Sequence, residues 1–382
     1  MIYLDNAATS CPKPEIVYKE IERCMRSYCA NPGRGGHVLS NTAGEAVMRA
    51  REIICDFFNC KNPLRICFTK NATEALNIGI KGCLMPEDHV ITTCMEHNSV
   101  IRPLKTLERD VGIKVSVAKG NEYGEITVED IKSLVQSNTK LIVCTLSSNV
   151  NGIIMPVKEI GKFARQAGIL YLVDASQGAG SIKIDVHDMS IDMLAFPGHK
   201  GLLGPQGIGG LYLREGIRLN PLFQGGTGSN SENMYQPDFM PDMLESGTLN
   251  TPGIVGMGCG IEFINSFGID NIRIYKHLLI KRFFDGISGI SSIKVYSRNG
   301  MEENSGILAL NIGEMDSNEV SYILDRKYRI ATRAGVHCAP LAHKTLGTLG
   351  RGIVRFSVSC FNTINEIDAA VDAVREIARS CV

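Results

Sequence analysis

The sequence predicts an α/β protein, with a large domain on a mainly parallel sheet covered by helices and a smaller α+β domain. Three observations lead there. From about residue 64 to 215, short β-rich runs alternate with amphipathic stretches. A polar cluster follows most of those runs. Near residue 215 the alternation gives way to a Gly/Asn/Pro-rich segment, beyond which a different pattern begins.

"LRICF", "DHVITT", "IKVSVA", "KLIVCTL" and "ILYLVD" are too short for helices and rich in β-formers, so they read as strands. Between the last two, "PVKEIGKFARQAG" places Ile160, Phe163, Ala164 and Ala167 at helical spacing and stops at Gly168. Such alternation implies parallel strands with helices on both faces. Sites on these sheets lie beyond the carboxyl ends of the strands. "TKNATEALN", "CMEHNSV", "SSNVNG" and "DASQGAG" all fall there, which predicts one shared site. "FQGGTGSNSENMYQPDFMPDMLESGTLNTPG" reads as a long functional loop or a crossing between domains. After it come a helical segment, the strand-like "GILALNI", a cysteine segment and the closing helix "INEIDAAVDAVREIAR". The expected division is a large domain over 14–257 and a small one built from 1–13 and 258–382, completed by the amino-terminal strand.

Composition narrows the function classes. A chain of 382 residues suits a large domain of about 200–250 residues with a smaller partner. Lys+Arg and Asp+Glu number 40 each, so no net field favours nucleic acid or an anionic membrane surface. The 13 cysteines are scattered and include no CxxC pair, which argues for buried reduced thiols over a disulfide scaffold or structural zinc. "MIYLDNAATS" lacks a basic and an apolar signal region, and no run reaches the roughly 18–20 apolar residues of a membrane span. A cytoplasmic protein is expected.

In "DMLAFPGHKGLLGPQGIGG", Lys200 follows His199 between glycines. Glycine admits close backbone approach, and a lysine in apolar surroundings can lose its proton and act as a nucleophile. The alternative is a solvated lysine beside a turn. Asp174 ends a buried strand, with Gln177 one turn on. A buried acid needs a cationic or hydrogen-bonding partner, and a pyridinium nitrogen supplies one; a helix cap is the alternative. Ala72 and Thr73 stand where a helix begins, a place that attracts phosphate. Asn71 with Glu74 reads equally as a capping box. His97 could stack on a planar cofactor or sit in a loop.

Taken together, Thr73, His97, Asn149, Asp174-x-x-Gln177, His199–Lys200, the opening "YLDNAAT" and the late "RAGVHCAPL" resemble the class V aminotransferase group of fold-type I enzymes dependent on pyridoxal 5'-phosphate (PLP). Within it the chain resembles cysteine desulfurases with a short RxGxHC segment (group II, similar to selenocysteine lyase). The resemblance spans nearly the whole chain. It implies that Lys200 carries the cofactor and moves the substrate α-proton, that Asp174 holds the ring nitrogen, and that Gln177 bonds the ring hydroxyl. His97 would stack on the ring and serve in proton transfer. Thr73, Ala72 and His199 would bind the phosphate, and Thr248 the phosphate of a neighbouring subunit in a homodimer. Arg355 would clamp the substrate carboxylate, a task suited to a bidentate fork, with Asn149 near that carboxylate and the cofactor ring. Cys338 would take sulfur from L-cysteine as a persulfide, its thiolate favoured by Arg333 and His337. A sulfur-acceptor protein would receive it; nucleic acid, membrane and metal are not expected.

Two positions depart from the family pattern: Pro197 stands where many relatives have serine, and Val336 precedes His337 where two histidines are common. Three alternatives stay open. One is selenocysteine lyase acting on L-selenocysteine, and another is a class V transaminase or lyase in which Cys338 is incidental. The third is a metal site on His337, Cys338 and His343.

Overall fold

In a computed structural model, which describes residues 1–33, 35–297 and 304–380, the chain opens with strand β1 (Ile2–Tyr3) and helices α1 (Glu15–Ser27) and α2 (Val38–Phe57). The alternating region follows as β2 (Ile66–Thr69), α3 (Ala72–Cys83), β3 (His89–Thr93), α4 (Asn98–Asp110) and β4 (Lys114–Ala118). It continues through α5 (Val128–Lys132), β5 (Thr139–Thr145), α6 (Val157–Ala167), β6 (Leu170–Asp174), β7 (Met193–Pro197) and β8 (Gly209–Leu213). All five strands expected from the sequence form, and α6 ends at Gly168 in the left-handed conformation, φ 69°.

These strands make one seven-stranded sheet in the order β2-β8-β7-β6-β5-β3-β4, parallel except for β8. The period of two explains its burial. Ile142 and Cys144 of β5 enter one apolar cluster, while Leu141 and Val143 enter another on the opposite face. Both faces are therefore covered, and every strand except the edge strand β4 is buried along most of its length.

The Gly/Asn/Pro-rich segment runs as turns without regular elements, but it is anchored. Glu245 pairs with the buried Arg51 through two contacts of 2.8 and 3.0 Å and accepts the Phe68 N–H at 2.6 Å. Helices α7 (Thr251–Phe267) and α8 (Ile269–Ile287) come next. The expected division at 257/258 falls inside α7, a continuous helix packed on α1 and α2. Its Gly256 lies against Ile21 and its Gly258 against Ala50, so small residues set that close approach.

The remaining elements are β9 (Ile293–Val295), β10 (Ile307–Ile312), α9 (Ser317–Tyr328), β11 (Ile330–Ala331), β12 (Arg333–Gly335), α10 (Pro340–Thr345), β13 (Ile353–Ser357) and α11 (Ile364–Arg379). An antiparallel sheet in the order β12-β13-β10-β9 shares a core with α8, α9 and α11. The amino terminus joins this half: β1 pairs with β11, Leu4 enters that core, and Asp5 bridges to Ser357. Among the described residues no helix is long and apolar enough to cross a membrane.

Candidate active site

The loops after β2, β3, β5, β6 and β7 converge on one cleft enclosing about 480 Å³, part of it open to solvent. Ala72, Thr73, His97, Asn149, Asp174, Gln177, His199 and Lys200 all line it. Residues up to 128 positions apart in sequence thus share one site because parallel strands deliver their carboxyl ends to the same edge.

Asp174 is the last residue of β6 and only 2% exposed; its Oδ1 accepts the Ser176 N–H at 2.9 Å. Gln177 Nε2 donates to the Ala7 carbonyl at 3.0 Å, tying the opening segment to the cleft. Desolvation lowers the Lys200 amine to about 8; Asp174 opposes that, while Arg355 and Arg333 add to it. An amine near this value is available as a base at neutral pH, as a surface lysine is not. His97 caps α4. Its Nδ1 accepts the Ser99 N–H at 3.1 Å, so in the neutral ring the proton sits on Nε2. Burial brings His97 down to about 4, so that neutral form dominates.

His199 is likewise lowered to about 4 by desolvation and then by Lys200 and Lys13. Its carbonyl is held by converging donors from the amino terminus: Lys13 Nζ at 2.8 Å, Thr9 Oγ1 at 3.0 Å, and Ser10 through N–H at 3.0 Å and Oγ at 3.2 Å. Ser10 Oγ also donates to the Lys200 carbonyl at 2.9 Å. The backbone carrying Lys200 is therefore fixed by "TSCPK", a role invisible in the sequence because no spacing links the two stretches.

Arg355, on β13, is 1% exposed. It donates through Nη2 to Asp5 Oδ1 at 2.7 Å and through Nη1 to the Asn149 carbonyl at 2.8 Å. Arg333 lies directly opposite on β12. Two facing guanidiniums with one carboxylate between strands favour an anion nearby. Asp5 was part of the quoted opening motif, but only the fold shows it as the anchor of Arg355.

Cys338 is exposed. It and His337 both adopt positive φ, 55° and 50°. For non-glycine residues this is costly and needs external support. Asn149 Nδ2 donates to the His337 carbonyl at 2.7 Å, and the Asn98 N–H to the Cys338 carbonyl at 2.7 Å. The thiol is thus tethered to the residue after His97 and to the cleft residue Asn149.

The role expected of His337 as a cation beside Cys338 is corrected here. Its ring is buried and stacks on His343, centroids 5.6 Å apart and 5° from parallel. Burial, then Arg355 and His343, drive it down to about 2, so it is neutral. Its Nε2 lies 3.3 Å from the Arg333 carbonyl. His343 Nδ1 meets Thr348 Oγ1 at 2.8 Å. The two histidines brace the turn; Arg333 remains as the cationic neighbour on that segment. Thr248 is exposed, accepts from Asn31 Nδ2 at 3.5 Å and does not line the cleft of its own chain. Pro197 ends β7 and lines the cleft, where its ring nitrogen donates nothing.

The thiols also differ from a uniformly reduced set: Cys55 and Cys60 form a disulfide. Cys24, Cys67, Cys94 and Cys144 are buried and free. Among the described residues, no group of three or more His, Cys, Asp or Glu is placed to hold a metal ion.

The model of the aminotransferase class-V family matches residues 2–370. The chain belongs to that family. It is 37% identical to a probable cysteine desulfurase of Methanothermobacter thermautotrophicus over 99% of this chain and 94% of that protein. With a cysteine desulfurase of Yersinia pseudotuberculosis it shares 31% over 99% of this chain and 94% of that protein. Among solved structures, the apo cysteine desulfurase from Thermococcus onnurineus superposes with a TM-score of 0.93 at 32% identity, covering 99% and 95% of the two chains. The Escherichia coli cysteine desulfurase CsdA (S-sulfonic acid) gives 0.89 at 26%, covering 100% and 95%. The fold is that of fold-type I enzymes, and the family implies PLP as cofactor.

The residues present fit that group. Among the described residues His199 Nδ1 is buried with no hydrogen-bond partner, a donor or acceptor left for something else. α3 begins at the cleft with Ala72 and Thr73 on its wall, and the first turn of a helix has N–H groups without intrahelical partners, as an anionic phosphate requires. Asp174 supplies a buried carboxylate to the same cleft and Lys200 an amine of lowered pKa.

Proposed function

We propose that the protein is a PLP-dependent cysteine desulfurase that converts L-cysteine to L-alanine and leaves the sulfur on Cys338 as a persulfide. One observation carries the reading: the Cys338 turn, strained at two residues, is pinned to Asn149 and to the start of the His97 helix. A cysteine without a function at the cleft has no need of that support.

Lys200 would hold the cofactor covalently, Asp174 its ring nitrogen, Gln177 its ring hydroxyl, and Thr73, Ala72 and His199 its phosphate. When bound, PLP supplies an electron sink for the substrate α-carbon. The other steps belong to side chains. Among the described residues Arg355 Nε is buried with no partner, so it is a donor left to meet the substrate carboxylate, with Asn149 and Arg333 beside it. Lys200 Nζ, near pKa 8 before it is engaged, suits removal and return of the α-proton. His97 presents a neutral ring with its proton on Nε2, able to stack and to donate there. The Cys338 thiolate attacks the substrate sulfur. The new S–S bond forms as the substrate Cβ–S bond breaks, and its electron pair stays with the three-carbon fragment, which takes up protons to leave as L-alanine. One thiol and one cysteine become one persulfide and one alanine, so no oxidant is needed.

The reading includes a cytoplasmic homodimer, in which the exposed Thr248 would reach a neighbouring phosphate site, and an acceptor protein that draws sulfur from the exposed Cys338. The test is to supply L-cysteine and L-selenocysteine separately to the purified protein and measure alanine and the mass of the Cys338 peptide. Wild type should yield alanine with one added sulfur atom on that peptide, and Cys338→Ala should yield no persulfide. Alanine formed faster from selenocysteine, with no sulfur on Cys338, would favour a lyase. Lys200→Ala should lose the visible absorption of lysine-bound PLP.

A further inference from the structure

A second pocket lies behind Lys200, where the two halves of the chain meet. It encloses about 490 Å³, part of it open to solvent, and is walled by the opening segment, the loop after β6, α8, the start of β10 and the end of β13. Among the described residues two lysines, Lys200 and Lys276, line it, and no aspartate or glutamate does. Lys276 reaches in from α8 and donates to Ser181 Oγ at 2.8 Å. Space is set aside for it. At Gly306, φ 94°, a Cβ would lie 2.5 Å from Lys276 Cε. A lysine directed into a protein interior without a carboxylate leaves a positive charge to be balanced.

Two hydroxyls on its wall can donate. Ser181 Oγ accepts from Lys276 and Ser359 Oγ accepts from the Phe361 N–H, so each hydroxyl keeps a proton to give. Lys276 has two further N–H groups beyond its bond to Ser181. Cys360 adds a thiol to the same wall.

We propose that this pocket binds a small oxyanion, a carboxylate or a sulfur oxyanion, through Lys276, Ser181 and Ser359. Lys200 at the other end is engaged by the cofactor, so Lys276 is the cation that defines the site. The inference stands apart from the desulfurase reading, since it needs neither Cys338 nor turnover. Its neighbours Gly201 and Gln177 belong to the loops that carry the catalytic cleft, so an occupant would stiffen the junction between the two halves.

The test uses the holoprotein with sulfate as probe. Thermal midpoints are measured across a sulfate series at fixed ionic strength balanced with chloride, for wild type, Lys276→Met and Ser181→Ala. Any sulfate bound at Arg355 and Arg333 contributes equally to all three and cancels. Wild type should show a saturable rise with sulfate. The apparent affinity should fall roughly tenfold or more in Lys276→Met, as loss of a charge-assisted contact gives, and by a smaller factor in Ser181→Ala. If Lys276→Met does not fold, Ser181→Ala and Lys276→Arg decide. The same rise in every variant, or one that chloride reproduces, would overturn the proposal.

Discussion

Glu96 offers a stringent test of how the site is held. It is fully buried one residue before His97. Its Oε1 accepts from Thr93 Oγ1 at 2.6 Å and from the Thr145 N–H at 2.8 Å, joining the ends of β3 and β5; its Oε2 has no partner among the described residues. Burial raises its pKa from 4.5 to about 8, with Asp174 adding to the rise and the Thr93 and Thr145 bonds opposing it. The folded protein therefore binds more protons than the unfolded chain between pH 4.5 and 8, and stability falls as pH climbs through that window. At pH 7 the cost is the 2.5 pH units above the unfolded value, about 3 kcal/mol. Glu96→Gln ionises in neither state and keeps the accepting oxygen. Allowing about 1 kcal/mol for its extra unpaired N–H, the variant should be about 2–3 kcal/mol more stable at pH 7 and no more stable near pH 4.5. With about 0.8 kcal/mol/K of unfolding entropy for a chain this long, the thermal midpoint at pH 7 should rise about 3–4 °C. The assay is the midpoint of both proteins from pH 4.5 to 8.5. A difference that stays flat across that range, or a variant destabilised at pH 7, would refute the argument that a neutral buried acid sits behind the cleft.

Three further outcomes follow from the geometry. Asn149→Ala removes the donor to the His337 carbonyl, a loss of about 1 kcal/mol from a turn already strained at two residues; hydrogen exchange at 335–339 should quicken and alanine formation should slow, with cofactor absorption unchanged. Asp5→Ala leaves the Arg355 guanidinium without its carboxylate; Asp5 is partly solvated, so the cost should be about 1–3 kcal/mol in urea unfolding, with a raised KM for L-cysteine. His337→Phe keeps an aromatic on His343, and because His337 is already neutral the pH profile of persulfide formation should not move; a shift of the profile would give His337 a cationic role.

Much of the architecture is readable from local pattern. The five strands from "LRICF" to "ILYLVD" and the helix ending at Gly168 follow from side-chain periodicity and left-handed capping, both properties of a few consecutive residues. That polar clusters after those strands would share a cleft follows from parallel connectivity alone, so Ala72, Thr73, His97, Asn149, Asp174 and Gln177 could be grouped from the sequence; His199 and Lys200 joined them through the resemblance. The role of each in that group came from the resemblance.

The tertiary structure decided what depends on contacts between distant segments. That Asp5 neutralises Arg355, that Lys13 and Ser10 lock the carbonyl before Lys200, and that Glu96 ties β3 to β5 are pairings no spacing encodes. The same holds for His337. Its chemistry is set by burial against His343, and the dielectric around a side chain is a property of the packed interior. In "RAGVHCAPLAH" the resemblance marked Cys338 as the thiol of interest; only the fold turned His337 from an expected cation into a neutral ring that, with His343, braces its strained turn.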